Sequence, residues 1–353
     1  MKILCLKSAI LFILIGCSAK EDMEIIINKN FYEIESFPEN SELKFTKLID
    51  YNVGMPYKLY EVDSGLYIFD IDARDDRVFH FYSFPLDSFT ASYIGKGSGP
   101  YETFSPKSSG IVDKTLWVQD FTMHKVIEND LTNLDAKESQ KETKLVDYFS
   151  VLEIFNENEI FANGLMGSQK KFQKLNRHTG EILGEFGDFE KVPEIIKGDV
   201  FKYFFQAFFA LKPDRKQMVS AYRWNEAIEI FNLETSESFL IRGPGNINNE
   251  FALKKDEFGV MKFGRGGEIQ HCNVDVAATD QYIFVLFSGN YDNVIDPFLS
   301  DIVHVYSWDG SPIAKLELDR KVMSFSISPD SKTLYSFDMD AGEIIYITLD
   351  LPE

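Results

Sequence analysis

One recurring unit constrains this chain more than any other feature. Residues 325–348 run as strand, polar turn, strand, turn, strand, with Ser328-Pro329-Asp330-Ser331-Lys332 as the first turn. Pro presets φ there, Asp bonds its own backbone and small residues close the bend. Leu334 to Asp338 alternates as a short strand, Gly342 breaks it, and Ile344 to Leu349 supplies a third. Looser copies follow turns at Asp63, Asp113, Asn156, Asp214 and Asp280. Successive turn residues lie 43 to 66 positions apart. Short strands repeating every 40–50 residues or so are the signature of propeller blades. A β-sandwich with regular turns is the competing architecture, but six units in one strand order exceed what it needs.

The last unit has only three strands before Glu353, which would leave an open edge. Near the other end, Leu43 to Ile49 reads as a strand with no hairpin partner. The expected fold is therefore all-β: a six-bladed β-propeller over residues 41–353, closed by an N-terminal strand that completes the last blade. A 44% hydrophobic, 14% aromatic composition suffices for blades that stack face to face.

The first residues carry an address. Lys2 and Lys7 precede an apolar run, Ala9 to Ile15, too short to span a bilayer. It ends Leu14-Ile15-Gly16-Cys17, which looks like a lipobox: residues 1–16 are a signal peptide and Cys17 is acylated. Several acyl chains on one residue give stable attachment. Residues 17–40 read as the acylated Cys and a polar tether, with Ile25-Ile26-Ile27 of strand-like composition. Ser18 after the Cys resembles lipoproteins sent to the outer membrane, and Lys20-Glu21-Asp22 resembles a surface-export tag. Loss of Lys2 and Lys7 takes the net charge from −20 to −22. Such acidity, with no basic patch, argues against nucleic acid as a partner. Of three cysteines, Cys5 is in the leader and Cys17 is the lipid site. Cys272 is left without a disulfide partner and reads as a buried strand residue.

A blade has four strands, A to D. The A–B and C–D turns lie on one face of the ring; the B–C loops and the connections from D to the next A lie on the other. Four long segments are of the second kind: 95–106, 187–205, 242–269 and 288–301. The second includes Val192 to Ile196, expected as a short helix; the third includes Asn249 to Met261, expected as helical. The polar, charged C–D region of the second blade, Thr132 to Glu142, is the exception on the other face. Insertions gathered on one face of a repeat ring more often mark a binding face than merely cover exposed hydrophobic edges.

Within these segments, Gly95-x-Gly97-x-Gly99-Pro100-x-Glu102 is the most distinctive string, echoed by Gly243-Pro244-Gly245. It is neither a Walker A loop nor a dinucleotide fingerprint. Either its amides cradle an anion, or the glycines make a sharp exit from strand D and Glu102 accepts the loop's own N–H groups. The second reading needs less. Lipobox, this string, and the late patterns Ala277 to Gly289 and Val303 to Gly310 together resemble the TolB-like six-bladed propeller lipoproteins of Bacteroidetes. The resemblance covers residues 40 to 350. It implies the same ring and an envelope location, and it brings no activity and no catalytic residues.

None of the five histidines has metal spacing; His80 and His304 occupy equivalent third-strand places, which suggests packing. Asp70/Asp72, Asp75/Asp76 and Asp338/Asp340 offer oxygen ligands for Ca²⁺, although such pairs more often solvate a loop. No other cofactor is implied. Candidates for a ligand surface come from B–C loops near the ring axis: Arg74, Tyr222, Arg223, Trp224, Ser288, Asn290 and Tyr291. Arginine beside aromatics is the composition of a peptide or glycan platform. The expected function is a non-catalytic, monomeric, membrane-anchored binding or assembly module for an envelope protein, peptide or glycan. The alternative is a propeller hydrolase or lyase acting on sugars or lactones.

Overall fold

A computed structural model describes residues 31–86, 89–132, 139–165, 167–189, 204–247, 249, 252–255, 261–264 and 269–352. Six antiparallel blades follow one another. Blade 1 runs Pro56–Val62, Gly65–Asp70, Arg77–Ser83, Phe89–Lys96, with Glu102–Thr103 added in parallel at its edge. Blade 2 is Pro106–Val112, Thr115–Asp120, Lys125–Asp130, Gln140–Lys144; blade 3 is Val151–Ile154, Glu159–Asn163, Lys170–Asn176, Ile182–Asp188. Blade 4 is Ala207–Leu211, Gln217–Tyr222, Ala227–Asn232, Ser238–Arg242, and blade 5 is Asn273–Ala278, Tyr282–Phe287, Ser300–Ser307, Pro312–Val322. Blade 6 is Phe325–Ile327, Thr333–Asp338, Glu343–Thr348, and then Thr46–Asp50 from the far end of the chain. All six Asp or Asn turns fall between first and second strands, and so share a face. The ring closes as the sequence predicts.

Period-two alternation normally buries one side of a strand. Here both sides are buried, because each blade is pressed between two others. Adjacent residues of Tyr282–Phe287 go opposite ways: Val285 joins Val219, Ile228 and Ile230 at the junction of blades 4 and 5, while Phe284 joins Phe325, Leu334 and Ile345 at the junction of 5 and 6. Each of the six junctions has such a cluster, including Phe69 and Phe79 with Leu116 and Val118 between blades 1 and 2, and Tyr335 and Ile344 with Leu59 and Ile68 between 6 and 1. The core is a ring of six interfaces.

Two expectations are corrected. The stretch up to residue 40 is not all tether. Phe31–Glu33 pairs in parallel with Ser238–Arg242, and Glu39–Leu43 pairs in parallel with Pro312–Val322. The chain thus lays outer strands on blades 4, 5 and 6 in turn. Between them Ile34 is buried among blade 4 and 5 side chains, and the Phe37 ring stacks on His304 at 4.5 Å. Most side chains of the two added strands are exposed, so backbone pairing rather than patterning holds them. The second correction is at Asn249 to Met261: Ala252–Lys255 and Met261–Gly264 are strands paired antiparallel, where a helix was expected. The anchor at Cys17, the Ile25–Ile27 stretch and the 192–196 helix lie outside the described residues.

His80 and His304 are buried in third strands of blades 1 and 5, as their equivalent places suggest. His304 lies between the rings of Phe37 and Phe287. Burial, helped by Lys315, pushes its pKa down to about 3. Between that value and the ordinary 6.5, the unfolded chain binds a proton that the native state refuses. Unfolding free energy therefore falls as pH drops through this window, by about 1.4 kcal/mol per unit. His304→Phe keeps the stack and removes the proton site. Urea melts at pH 7 and 4.5 should show a smaller loss for His304→Phe than for wild type, by about 2–3 kcal/mol. Equal losses would mean that other groups set the acid sensitivity.

Candidate functional site

The insertion-bearing face holds every residue that the sequence nominates for binding, but the structure divides them. Arg74, in the B–C loop of blade 1, is exposed; its N–H meets Val53 O and its guanidinium reaches Asn52 O at 3.4 Å. It borders a shallow hollow with Tyr51, Asp72, Phe337 and Gly342, apart from the blade 4 and 5 candidates. Ser288 and Asn290 hold the next loop in shape: Ser288 Oγ donates to Pro297 O at 2.6 Å and Asn290 Nδ2 to Leu299 O at 2.9 Å. Tyr291 is bridged to Gln270 and stays about half exposed.

Arg223 and Trp224 belong to a packed group. The Arg223 guanidinium lies 4.8 Å over the Trp224 ring and 4.7 Å over Phe298. Its Nε donates to His271 Nδ1, and His271 Nε2 then donates to Asp292 Oδ1 at 2.6 Å. Accepting at Nδ1 fixes the neutral Nε2–H tautomer. Trp224 is buried, its ring 4.6 Å from His271. The group joins the blade 4 B–C loop to blade 5.

Tyr222 points elsewhere, into a chamber of about 300 Å³ between blades 3 and 4. Connections on the open face make its rim: Tyr148 and Ser150 before blade 3, Gly164 and Leu165 within it, Gln206 before blade 4. Phe172, Phe189 and Phe205 also line it. Lys171 lies in its wall, buried with Glu229. Lys171 Nζ donates to Glu229 Oε2 at 2.7 Å and to Tyr222 OH at 2.8 Å, while Ser238 Oγ donates to Glu229 Oε1 at 2.6 Å. Ser220, also lining the chamber, is buried, and its Oγ has no hydrogen-bond partner. Gln206 ties chamber to Arg223, whose Nη1 approaches Gln206 Oε1 at 3.5 Å. Sequence reasoning missed Lys171, Glu229 and Ser220. The available signal was Glu229, a lone charge inside the apolar strand Ala227–Asn232.

The central channel is narrower. A cavity of about 100 Å³ is lined by Tyr57, Lys58, Lys107, Glu153, Phe208 and Asp275. Lys58 and Asp275 pair at 2.6 Å. Burial raises Glu153 to about 7, against the pull of Arg215 and Lys58. Burial and then the Arg223 charge bring Lys107 down to about 8.

The glycine string closes on itself. Glu102 Oε2 accepts Gly99 N–H at 3.0 Å, Gly97 N–H meets Thr103 O, and Lys125 caps Gly99 O. A Cβ on Gly97 would sit 2.2 Å from Glu102 Oε2, so a larger residue would have to push that carboxylate off the loop's amides. Gly95 and Pro100 complete this exit from blade 1. The echo is built alike: Cβ atoms on Gly243 and Gly245 would meet the Glu226 carboxylate at 2.5 and 2.4 Å. Burial raises the Glu226 pKa, and amides of Gly245 and Ile247 pull it back. Asp70 and Asp338 are likewise committed. Asp70 accepts from Tyr51 OH, Met55 N and Asp72 N, and Asp338 from Asp340 N, Ala341 N and Arg320. Cys272 is fully buried, which pushes its thiol up and away from the reactive thiolate.

Against this architecture, a family model described as TolB-like 6-blade propeller-like matches residues 36–330. The chain belongs to the TolB-like six-bladed propeller family. Solved structures agree on the ring at low identity. A DUF4221-family member from Bacteroides vulgatus is 8% identical with a TM-score of 0.55, covering 88% of this chain and 96% of that one. A Bacteroides fragilis protein, named as exported, is 12% identical with a TM-score of 0.52, covering 89% and 100%. No curated protein matches the sequence. The likeness establishes the fold of this TolB-like propeller, and its chemistry has to be read from its own residues.

Proposed function

We propose that this TolB-like propeller is a lipid-anchored module of the cell envelope that binds a protein, peptide or glycan on its insertion-bearing face, without catalysis. The observation that carries the reading is the chamber between blades 3 and 4. It opens among the long connections, is walled by aromatic rings, and has its one buried ion pair satisfied internally. Such a cavity offers shape and apolar contact with few polar points, which is the make-up of a recognition site. Leu14-Ile15-Gly16-Cys17 and the acidic mature chain support the anchored, extracytoplasmic setting. By this reading the outer membrane is its place.

The hydrolase or lyase reading draws on Glu153 and Lys107, whose pKa values near neutrality suit an acid and a base. Their cavity, at about 100 Å³, is well below the ~300 Å³ at which small-molecule sites begin. Binding is therefore the better account.

The test is affinity capture from the native envelope with the full lipidated chain. Gln206→Trp obstructs the chamber rim, and Asp63→Arg alters an exposed turn on the opposite face. A specific partner should be retained by wild type and Asp63→Arg and lost by Gln206→Trp. Equal retention by all three would place binding elsewhere. Cys17→Ala should move the protein from the membrane to the soluble fraction; a membrane-bound variant would remove the anchor from the proposal.

A further inference from the structure

The ligand class of the chamber can be narrowed, resting on the binding reading just given. We propose that it receives one aromatic side chain of an extended peptide, and that it prefers a phenol to a bare phenyl ring. Volume comes first: about 300 Å³ holds a single ring with its stem, not an oligomer. Charge comes next. Lys171 is neutralised by Glu229, and Lys170 at the rim by Asp188. A carboxylate or phosphate entering here would have to displace Glu229, whose other oxygen is held by Ser238. The lining thus favours a neutral group.

The walls say which neutral group. Phe172, Phe189, Phe205 and Tyr222 present ring faces and edges, which pack best against another ring. Polar atoms with capacity to spare are few inside the chamber; the Gln206 side chain, Tyr148 OH and Ser150 Oγ stand at its rim, the last two 3.3 Å apart. Asn163 lines the chamber, but its Nδ2 donates to Ala207 O and its Oδ1 accepts Val151 N–H. Lys171 has given two of its three N–H groups to Glu229 and Tyr222. Ser220 Oγ, buried and unpartnered, remains. A sugar ring carries several hydroxyls, and most would be desolvated here without partners. One phenolic OH, able both to donate and to accept, matches one serine hydroxyl and one lysine N–H.

The probes are N-acetyl-L-tyrosinamide, N-acetyl-L-phenylalaninamide and N-acetyl-D-glucosamine, titrated into the whole mature protein and followed by ligand-observed NMR. The tyrosine amide should bind saturably with a Kd of about 1 mM. It should bind about tenfold more tightly than the phenylalanine amide. Ser220→Ala should erase that tenfold gap while both amides still bind, and Gln206→Trp should abolish both. Thermal melts of each variant confirm that the ring is intact. Three results would overturn the proposal: neither amide saturating, the sugar binding as tightly as the tyrosine amide, or the gap surviving in Ser220→Ala. If the amides fail while Gln206→Trp still loses the captured partner, the face stands as a binding surface and only the aromatic assignment falls.

Discussion

Lys171→Met will destabilise the protein by about 3–5 kcal/mol, a large share of what a domain of this kind has to lose. Glu229 is fully buried and Lys171 nearly so. Removing the ammonium leaves a carboxylate with Ser238 and Tyr222 donating to it but no compensating charge. Methionine fills most of the lysine's volume, so the loss reports charge rather than a cavity. Glu229→Gln alone strands the ammonium and should cost a similar amount. The double variant removes both charges at once. It should recover most of the loss, because replacing a whole buried ion pair by neutral groups of like size is close to neutral. The expected signature is a coupling of at least ~2 kcal/mol in a double-mutant cycle from denaturant melts. If Lys171→Met unfolds within ~1 kcal/mol of wild type, solvent reaches this pair and it is not buried in the chamber wall.

The ring itself was legible because blades repeat, and repetition amplifies a weak local signal. One Ser-Pro-Asp-Ser-Lys turn says little. Six turns in the same strand order, at Asp63, Asp113, Asn156, Asp214, Asp280 and Asp330, fix the count and assign each loop to a face. Closure by the N-terminal strand followed from a deficit, a last unit with three strands. The parallel strands at Phe31–Glu33 and Glu39–Leu43 left no such trace. Their hold is backbone pairing at blade edges, which any polar sequence can supply. The pairing of Ala252–Lys255 with Met261–Gly264 was hidden for a related reason: Ala252, Leu253, Lys254 and Lys255 have ordinary helical propensity, and context overrides propensity. The candidate site was half legible. Loop counting found the face and Tyr222. It could not find the chamber, because Lys171, Ser220 and Glu229 meet only when blade 3 docks on blade 4. Arg223 and Trp224 show the opposite limit: their composition suits a platform, yet Trp224 is packed under Arg223 and beside His271, and it is Arg223 and Tyr291 that retain exposure.

A chain beginning at Asn52 will lose the closed ring, whereas one beginning at Lys44 will keep it. Both lack the parallel additions on blades 4 and 5, so both forfeit the burial of Ile34 and the Phe37 stack, worth about 2–3 kcal/mol. Only the shorter chain also lacks Thr46–Asp50 and Tyr51. Leu48 and Ile49 pack against the junction of blades 6 and 1, and Tyr51 is buried there with its OH donating to Asp70 at 2.7 Å. Loss of these three side chains removes about 5 kcal/mol more by burial and cavity terms. It also strands the Asp70 carboxylate of its phenol donor and opens Glu343–Thr348 as a free edge. Hydrogen exchange separates the two effects. In the chain from Lys44, amides of Glu343–Thr348 that pair with Thr46–Asp50 should stay protected. In the chain from Asn52 they should exchange rapidly, with concentration-dependent aggregation as free edges find each other. Protection of that strand in the shorter chain would mean that the ring is held by the junction between blades 6 and 1 alone, and that the N-terminal strand decorates a closure already complete.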